Sequence, residues 1–155
     1  MVSSGFITSN QFYGVENQKF IHDMNKAIYP DINLYHDDFF WAMNSFAVQR
    51  KFNPAIVNAD TIYLQKKAAP FIARIIYLLS QVPKNDIMLV ANIVLDHPYK
   101  GHKKRDINCF LEFLAKEKKW KDCADKWEFH KECYFYQGNS KVSKAEMCSY
   151  IFFKK

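Results

Sequence analysis

Cysteine and histidine side chains, the residues best suited to bind a soft metal ion, gather in the last third of the chain. All four cysteines lie beyond residue 108, and three of the five histidines lie near them or just before them. The spacing His130-Lys-Glu-Cys133 would place an imidazole nitrogen and a thiolate one helical turn apart, and Zn²⁺ binds both groups. Structural zinc sites usually carry two such close pairs, and only one occurs here. The sequence therefore predicts no cofactor, and zinc is the alternative, with the candidate ligands His97, His102, His130 and Cys133.

The cysteine spacing also suggests a second use. Cys123 and Cys133 enclose nine residues, and this C-x9-C spacing resembles half of the twin pattern of the coiled-coil-helix-coiled-coil-helix family. Members of that family are small proteins of the mitochondrial intermembrane space, many of them accessory subunits of respiratory complexes. The resemblance spans residues 109–148, where the flanking gaps of 13 and 14 residues depart from the pattern. It implies a helical hairpin with disulfides among Cys109, Cys123, Cys133 and Cys148, in particular Cys133–Cys148 or Cys123–Cys133. The alternative is that all four are free, partly buried thiols.

Three places in the chain put histidine next to aspartate, as acid–base or metal-dependent chemistry would require. They are His22-Asp23, His36-Asp37-Asp38 and Asp96-His97. The first is similar to the dyad of HD-type metal phosphohydrolases, but the further ligands of such a site are not found in order. The four glycines lie too far apart to form a phosphate-cradling loop, which argues against familiar nucleotide chemistry. The sequence therefore predicts no catalytic residue and no enzyme, and a metal-dependent hydrolase using a His-Asp pair is an alternative.

Positive charge is concentrated in the same part of the chain as the cysteines. Residues 1–99 carry 8 basic and 8 acidic side chains, whereas residues 100–155 carry 14 and 8, so the net charge of +6 belongs to the last third. A basic region next to a neutral one favours an acidic partner such as nucleic acid. Tyr99, Trp120 and Trp127 lie among these charges and could stack on bases. The candidate nucleic-acid segment is residues 100–121, with the basic patch Lys100, Lys103, Lys104, Arg105, Lys116, Lys118 and Lys119.

The first fourteen residues show no helical or strand period and are predicted to form an irregular tail. Aromatic side chains occur in it, and aromatic residues contribute strongly to protein interfaces. We therefore expect Phe6, Phe12 and Tyr13 to dock onto a partner protein. The tail lacks the charged start and apolar stretch of a secretory signal, which predicts an intracellular protein. The family resemblance suggests the mitochondrion.

Apolar periodicity predicts a single all-α domain over residues 1–155, with about six helices around a buried central helix pair. The pair comprises the apolar runs 68–79 and 87–95, separated by a polar break, and neither run is long enough to cross a bilayer. Its predicted core residues are Ile75, Ile76, Leu79, Leu89, Val90 and Ile93. Pro70 is expected to kink or break the first helix of the pair.

The remaining helices follow from stripes of apolar residues and from capping residues. They are predicted near residues 15–28, 34–51 and 107–127 and after Ser143, where Ser143-Lys-Ala-Glu146 has the form of a capping box. Asp31 or Asn33 is the expected cap of the second helix. A short strand near residues 134–136 is the only predicted β-structure.

Taken together, these features favour a non-catalytic structural or accessory subunit, an interaction protein of a larger multiprotein complex. A subunit of a mitochondrial respiratory-chain complex is the most specific form of this prediction. The expected partners are other protein subunits, and no transmembrane segment is expected. A small basic nucleic-acid-binding protein of viral or plasmid type is the other alternative to the hydrolase.

Overall fold

The computed structural model describes residues 13–48, 56–83, 86–96, 109–137 and 144–155. Within these ranges the chain is a mixed α/β protein with six strands in two sheets, so the predicted all-α fold is wrong. The chain forms two compact units, Met1–Phe52 and Asn53–Lys155, and each is described by itself.

The first unit is a strand–helix–strand segment followed by a second helix. Strand β1 (Tyr13–Glu16) leads into helix α1 (Lys19–Ile28), and β2 (Asn33–His36) leads into α2 (Phe39–Val48). The strands are parallel, with Tyr13 opposite Asn33 and Glu16 opposite His36. Their carboxyl ends therefore lie at the same edge of the small sheet.

Strands shorten both helices that the sequence predicted here. Val15 lies in β1 rather than in the first helix, and β2 occupies the start of the predicted second helix. The cap of α2 is Asp38, not Asp31 or Asn33, because its Oδ1 accepts hydrogen bonds from the backbone N–H groups of Phe40 and Trp41 at 3.0 and 3.1 Å. A carboxylate at this position satisfies donors that the first helical turn leaves unpaired.

The described residues of the second unit form a four-stranded sheet with three α-helices. Strand β3 (Ile56–Leu64) and strand β4 (Met88–Asp96) are parallel, and helix α3 (Gln65–Ser80) connects them. Helices α4 (Cys109–Lys116) and α5 (Lys118–Lys121) precede the antiparallel pair β5 (Trp127–Gln137) and β6 (Lys144–Lys154). The strand order is β3-β4-β6-β5, so the last strand inserts beside β4.

The central helix pair is therefore a helix and a strand. The run 87–95, predicted as a helix, forms β4 at the centre of the sheet between β3 and β6. A short continuous apolar run reads the same in a buried helix and in a strand that is covered on both faces. Its enrichment in β-branched residues and its length of nine residues fit the strand. Asp86, two residues before β4, has a positive φ of 59°, a conformation that aspartate tolerates.

Helices α3, α4 and α5 lie on one face of this sheet and form its core with alternate strand residues. Phe110 of α4 packs against Tyr150 at a ring distance of 4.6 Å, and Trp120 of α5 meets Phe152 edge to face at 5.9 Å. Five of the six predicted core residues, all except Val90, are fully buried. Val90 is half-buried, because strand alternation turns it to the opposite face of the sheet.

Buried polar contacts close the carboxyl end of α3. The Lys154 ammonium, on a side chain only 7% exposed, donates to the carbonyls of Leu79 and Val82. The Trp127 indole donates to Ser80 Oγ at 2.8 Å, and Ser80 Oγ donates to the Ile76 carbonyl at 2.7 Å. These contacts provide hydrogen-bond partners for carbonyls and a hydroxyl at the end of a buried helix, where water cannot reach them.

Three other predictions need correction or extension. Helix α3 continues through Pro70 as one element. The predicted C-terminal helix is strand β6, whose alternating burial of Cys148, Tyr150 and Phe152 has the period of a strand. The short strand predicted near residues 134–136 belongs to the longer β5. In the described ranges, no helix has both the length and the apolar character needed to cross a membrane.

Candidate interaction surfaces and polar edge

Helix α1 presents its apolar stripe to solvent. Phe20, Met24 and Ile28 follow one another at four-residue spacing and are 78%, 46% and 59% exposed. This spacing places them on one side of the helix, one above the other. No residue of α1 is buried. These three residues belong to the apolar stripe from which this helix was predicted, and the structure leaves them exposed.

The polar side of α1 explains this orientation, because it is the side that contacts the rest of the unit. His22 Nε2 lies 3.3 Å from the Leu34 carbonyl of β2. The Lys26 ammonium donates to the carbonyls of Pro30 and Ile32 at 2.8 and 2.6 Å. Hydrogen bonds to the following turn and strand thus hold the helix with its apolar side outward. Trp41 of α2 is also 70% exposed, so the unit carries large apolar side chains on both of its helices.

The carboxyl edge of β1 and β2 collects polar groups. The Asp37 N–H donates to the Glu16 carbonyl at 3.2 Å, and His36 Nε2 lies 3.2 Å from the Asn17 carbonyl. One carboxylate oxygen of Glu16 accepts the backbone N–H of Gln18 at 2.9 Å. Ligands of open α/β sheets commonly bind outside this end of parallel strands. The arrangement gives a carboxylate and an imidazole that a small polar ligand could contact.

Two of the predicted His-Asp pairs lie in the first unit and come close together there. His22 Nδ1 is 3.0 Å from Asp23 Oδ1, and the rings of His22 and His36 are 5.6 Å apart. Hydrogen bonds from Lys19 and then from His22 hold the pKa of the Asp23 carboxyl below its ordinary value. No group of three or more His, Cys, Asp or Glu side chains in the described ranges is placed to hold a metal ion.

The predicted zinc ligands are not assembled by the part of the chain that the structure describes. His97 and His102 lie outside those residues. His130 and Cys133 both lie on β5, where side chains three residues apart point to opposite faces of the sheet, so the helical-turn spacing does not apply. His130 is exposed, and the Cys133 sulfur is bonded to Cys148.

The four cysteines lie in different elements. Cys133 and Cys148 face each other across β5 and β6 and form a disulfide. Cys123 is a buried free thiol that donates to the Lys119 carbonyl at 3.1 Å, and burial raises its pKa. Cys109 begins α4. The C-x9-C segment thus runs from a turn into a strand, and the family resemblance stays a prediction.

The predicted basic patch divides into a described and an undescribed part. Lys100, Lys103, Lys104 and Arg105 lie outside the described residues. Lys116 ends α4, while Lys118 and Lys119 begin α5, and all three are exposed. Of the predicted docking residues, Phe6 and Phe12 also lie outside the described ranges, and Tyr13 begins β1.

Several residues now of interest were missed at the level of sequence. Glu16 and His36 lie opposite each other only because β1 and β2 are parallel and in register. The sequence does contain a signal for them. Tyr13-Gly-Val-Glu16 and Asn33-Leu-Tyr-His36 are short strand-like runs on either side of a predicted helix, and this pattern favours a strand–helix–strand segment. Helix α3 packs against α4 and α5, so its residues Lys66, Lys67 and Tyr77 belong to the same layer of helices as Lys116 and Lys119. Only tertiary packing brings these distant parts of the sequence together.

Comparisons with known proteins find little. No family model matches the chain, and no curated protein matches it. Among solved structures, the X-ray structure of precorrin 8W decarboxylase from Methanobacterium thermoautotrophicum, an enzyme by its name, is similar with a TM-score of 0.49 and 9% sequence identity. The match covers 92% of this chain and 69% of that chain. Similarity at this level carries no argument about the function of the chain.

Proposed function

We propose that this chain is a non-catalytic subunit of a larger protein assembly and that it docks through the stripe Phe20, Met24 and Ile28 on α1. The observation that carries the proposal is the exposure of all three side chains on a helix with no buried residue. Contiguous apolar surface of this kind is rare on monomeric proteins unless it contacts a partner.

The spacing of the stripe specifies the kind of partner. Apolar anchors at i, i+4 and i+8 on one helix are the pattern by which an amphipathic helix enters an apolar groove. The opposite side of α1 is held by hydrogen bonds to Leu34, Pro30 and Ile32, so the helix is oriented before it binds. A partner protein with an apolar groove would bury the stripe without rearranging the first unit.

The test compares assembly size for three versions of the chain. The wild-type chain, expressed at its natural level in the cells that produce it, should elute from a sizing column within a larger complex of fixed composition. The variant Phe20→Gln/Met24→Gln/Ile28→Gln should elute near its own mass while keeping its circular dichroism, since glutamine is a good helix former. The control Ile56→Gln/Phe153→Gln changes side chains that are 46% and 45% exposed in the second unit and should stay in the complex.

Two outcomes would reject the docking proposal. One is a wild-type chain that elutes at its monomer mass in the native extract. The other is a stripe variant that enters the complex as well as the wild type does. Sedimentation of the purified chain separates assembly with other proteins from association of the chain with itself.

A second candidate function is the binding of a small hydroxyl-bearing ligand at the carboxyl edge of β1 and β2. The register that sets Glu16 opposite His36 favours it, because a carboxylate at the end of such a strand commonly accepts hydrogen bonds from ribose hydroxyls. Asp37 and Asp38 add negative charge at the same edge, which would disfavour a phosphate. Calorimetric titration should therefore show binding of adenosine, weaker binding of adenosine monophosphate, and loss of binding in Glu16→Gln. Equal affinity for both probes, or none for either, would remove this candidate.

A further inference from the structure

The outer surface of the helical layer α3–α4–α5 is strongly basic. We count the layer as residues 65–80 and 109–126, which comprise the three helices and the turn after α5. These residues carry eight basic and four acidic side chains, so the layer has a net charge of +4. The basic residues are all exposed. They are Lys66, Lys67, Arg74, Lys116, Lys118, Lys119, Lys121 and Lys126. The three helices pack against one another, which brings α3 beside the basic part of the chain that the sequence singled out.

The carboxylates of this layer do not neutralise its lysines by direct contact. The acidic residues are Glu112, Glu117, Asp122 and Asp125. Among the described residues, no ion pair joins a lysine of the layer to one of these carboxylates, and the pairs that are seen, Lys19 and His22 with Asp23 and Lys155 with Glu128, lie outside the layer. The lysine ammonium groups of the layer are thus presented to solvent, although four carboxylates lie in the same layer.

Aromatic rings lie between these charges. The Lys119 ammonium of α5 is 6.0 Å from the ring centroid of Tyr77 on α3, and the Lys116 ammonium is 5.6 Å from the ring of Phe113 on α4. Tyr77 and Phe113 are half-buried, so part of each ring is open to solvent. A ring beside an ammonium group offers a base a stacking surface and its phosphate a counterion.

We propose that the α3–α4–α5 layer binds single-stranded nucleic acid. Lys116 and Lys119 pair with phosphates, and Phe113 and Tyr77 stack on bases. A duplex would use the charges but hide its base faces from the rings. An anionic membrane would need apolar side chains that reach past the lysines, and these two rings are instead half-buried beside them. This surface lies on the second unit and does not depend on the docking of α1.

The test measures binding of a fluorescent oligothymidylate of about 20 nucleotides, longer than one binding site, by anisotropy across a range of salt concentrations. The wild-type chain should bind it, with an affinity that falls steeply with salt. Removing two phosphate contacts in Lys116→Ser/Lys119→Ser should lower the slope of log K against log salt by about 1.4. The control Lys19→Ser/Lys155→Ser removes the same charge from outside the layer and should leave the slope unchanged.

The rings are tested separately from the charges. Tyr77→Leu/Phe113→Leu keeps apolar bulk and should weaken binding by about tenfold or more with little change in slope. Thermal unfolding confirms that each variant is folded. The stripe variant of α1 should bind the oligonucleotide like the wild type, so failure of the docking proposal leaves this one intact.

Three results would overturn the proposal. The first is absence of saturable binding at about 0.15 M salt. The second is a control variant that changes the slope as much as Lys116→Ser/Lys119→Ser does. The third is competition by polyglutamate or by phosphatidylserine vesicles as effective as competition by unlabelled oligonucleotide, which would assign the surface to acidic proteins or membranes.

Discussion

The two parallel strand–helix–strand segments of this chain treat their connecting helices in opposite ways. Helix α3 has nine buried residues and packs against the sheet and against α4 and α5; Ile72, Ile75, Ile76 and Leu79 are fully buried. Helix α1 has none, and its side chains form hydrogen bonds to β2 through His22 and to the turn before β2 through Lys26. Both helices carry apolar stripes, so the difference does not lie in the stripe itself.

The two helices differ in burial because different elements pack against them. Helix α3 has a four-stranded sheet below it and α4 and α5 along its sides, which together exclude water from its apolar face. Helix α1 has a two-stranded sheet of four-residue strands, too small a surface to cover a ten-residue helix. A lone two-stranded sheet is marginal in water and needs further packing. The comparison teaches that apolar periodicity predicts a helix but does not by itself decide whether the apolar face of that helix is buried.

The largest expected effect comes from making the same substitution, isoleucine to alanine, in the buried face of α3 and in the exposed stripe of α1. Ile76→Ala should lower the free energy of unfolding by about 2–5 kcal/mol, because it opens a cavity in a close-packed core. Ile28→Ala, on the exposed stripe, should change it by less than about 0.5 kcal/mol. Denaturant unfolding of both variants measures the difference. Equal losses would mean that the stripe of α1 is buried in solution.

The next effect concerns a cross-link that only the second unit has. The Cys133–Cys148 disulfide joins residues 15 apart in sequence, and a loop of that size corresponds to about 3 kcal/mol of stabilisation. Cys133→Ser should therefore lower the stability of the second unit by about that amount, and reductant should then have no further effect on it. The first unit contains no cysteine and should respond to neither change. Intact mass under non-reducing conditions provides the check, and four free thiols in the native protein would contradict the pairing.

A smaller effect is expected at the helix cap of the first unit. Asp38→Ala removes the acceptor for the N–H groups of Phe40 and Trp41 and should cost about 1 kcal/mol. Asp31→Ala makes the same chemical change at an exposed position without a capping contact and should cost close to nothing. Thermal melts of the two variants, followed by circular dichroism, compare them. If Asp31→Ala costs as much as Asp38→Ala, then α2 is not capped in the way described.

The smallest effect is a pH dependence confined to the second unit. Burial, and then the charge of Lys126, lowers the pKa of the Lys154 ammonium below the ordinary 10.5. Between the folded pKa and 10.5 the unfolded chain binds more protons than the folded one, so stability rises with pH across that window. The stability of the wild type relative to Lys154→Met should thus increase as the pH is raised toward 10.5. A difference that is flat or that falls would show that Lys154 is solvated in the folded protein.

Much of the local structure was predictable from the sequence. The apolar runs 68–79 and 87–95 form the core, and five of the six residues named for it are fully buried. The stripe of α1 and the amphipathic start of α4 are helices, since their 3.6-residue period has no strand equivalent. The concentration of lysine near residues 116–121 also required no structure to see.

The choice between helix and strand at residues 88–96 and 144–154 depended on tertiary structure. An apolar run of nine residues satisfies either a buried helix or a central strand, and the neighbours that pair with it decide. The same distinction between sequence and tertiary structure applies to the residues that we propose for function. The types and charges of Phe20, Lys116 and Glu16 are properties of the sequence. Tertiary structure decides whether Phe20 is buried and whether Lys119 lies beside Tyr77, because contacts between distant side chains follow from packing. It also decides whether Glu16 lies opposite His36, because that placement follows from strand register.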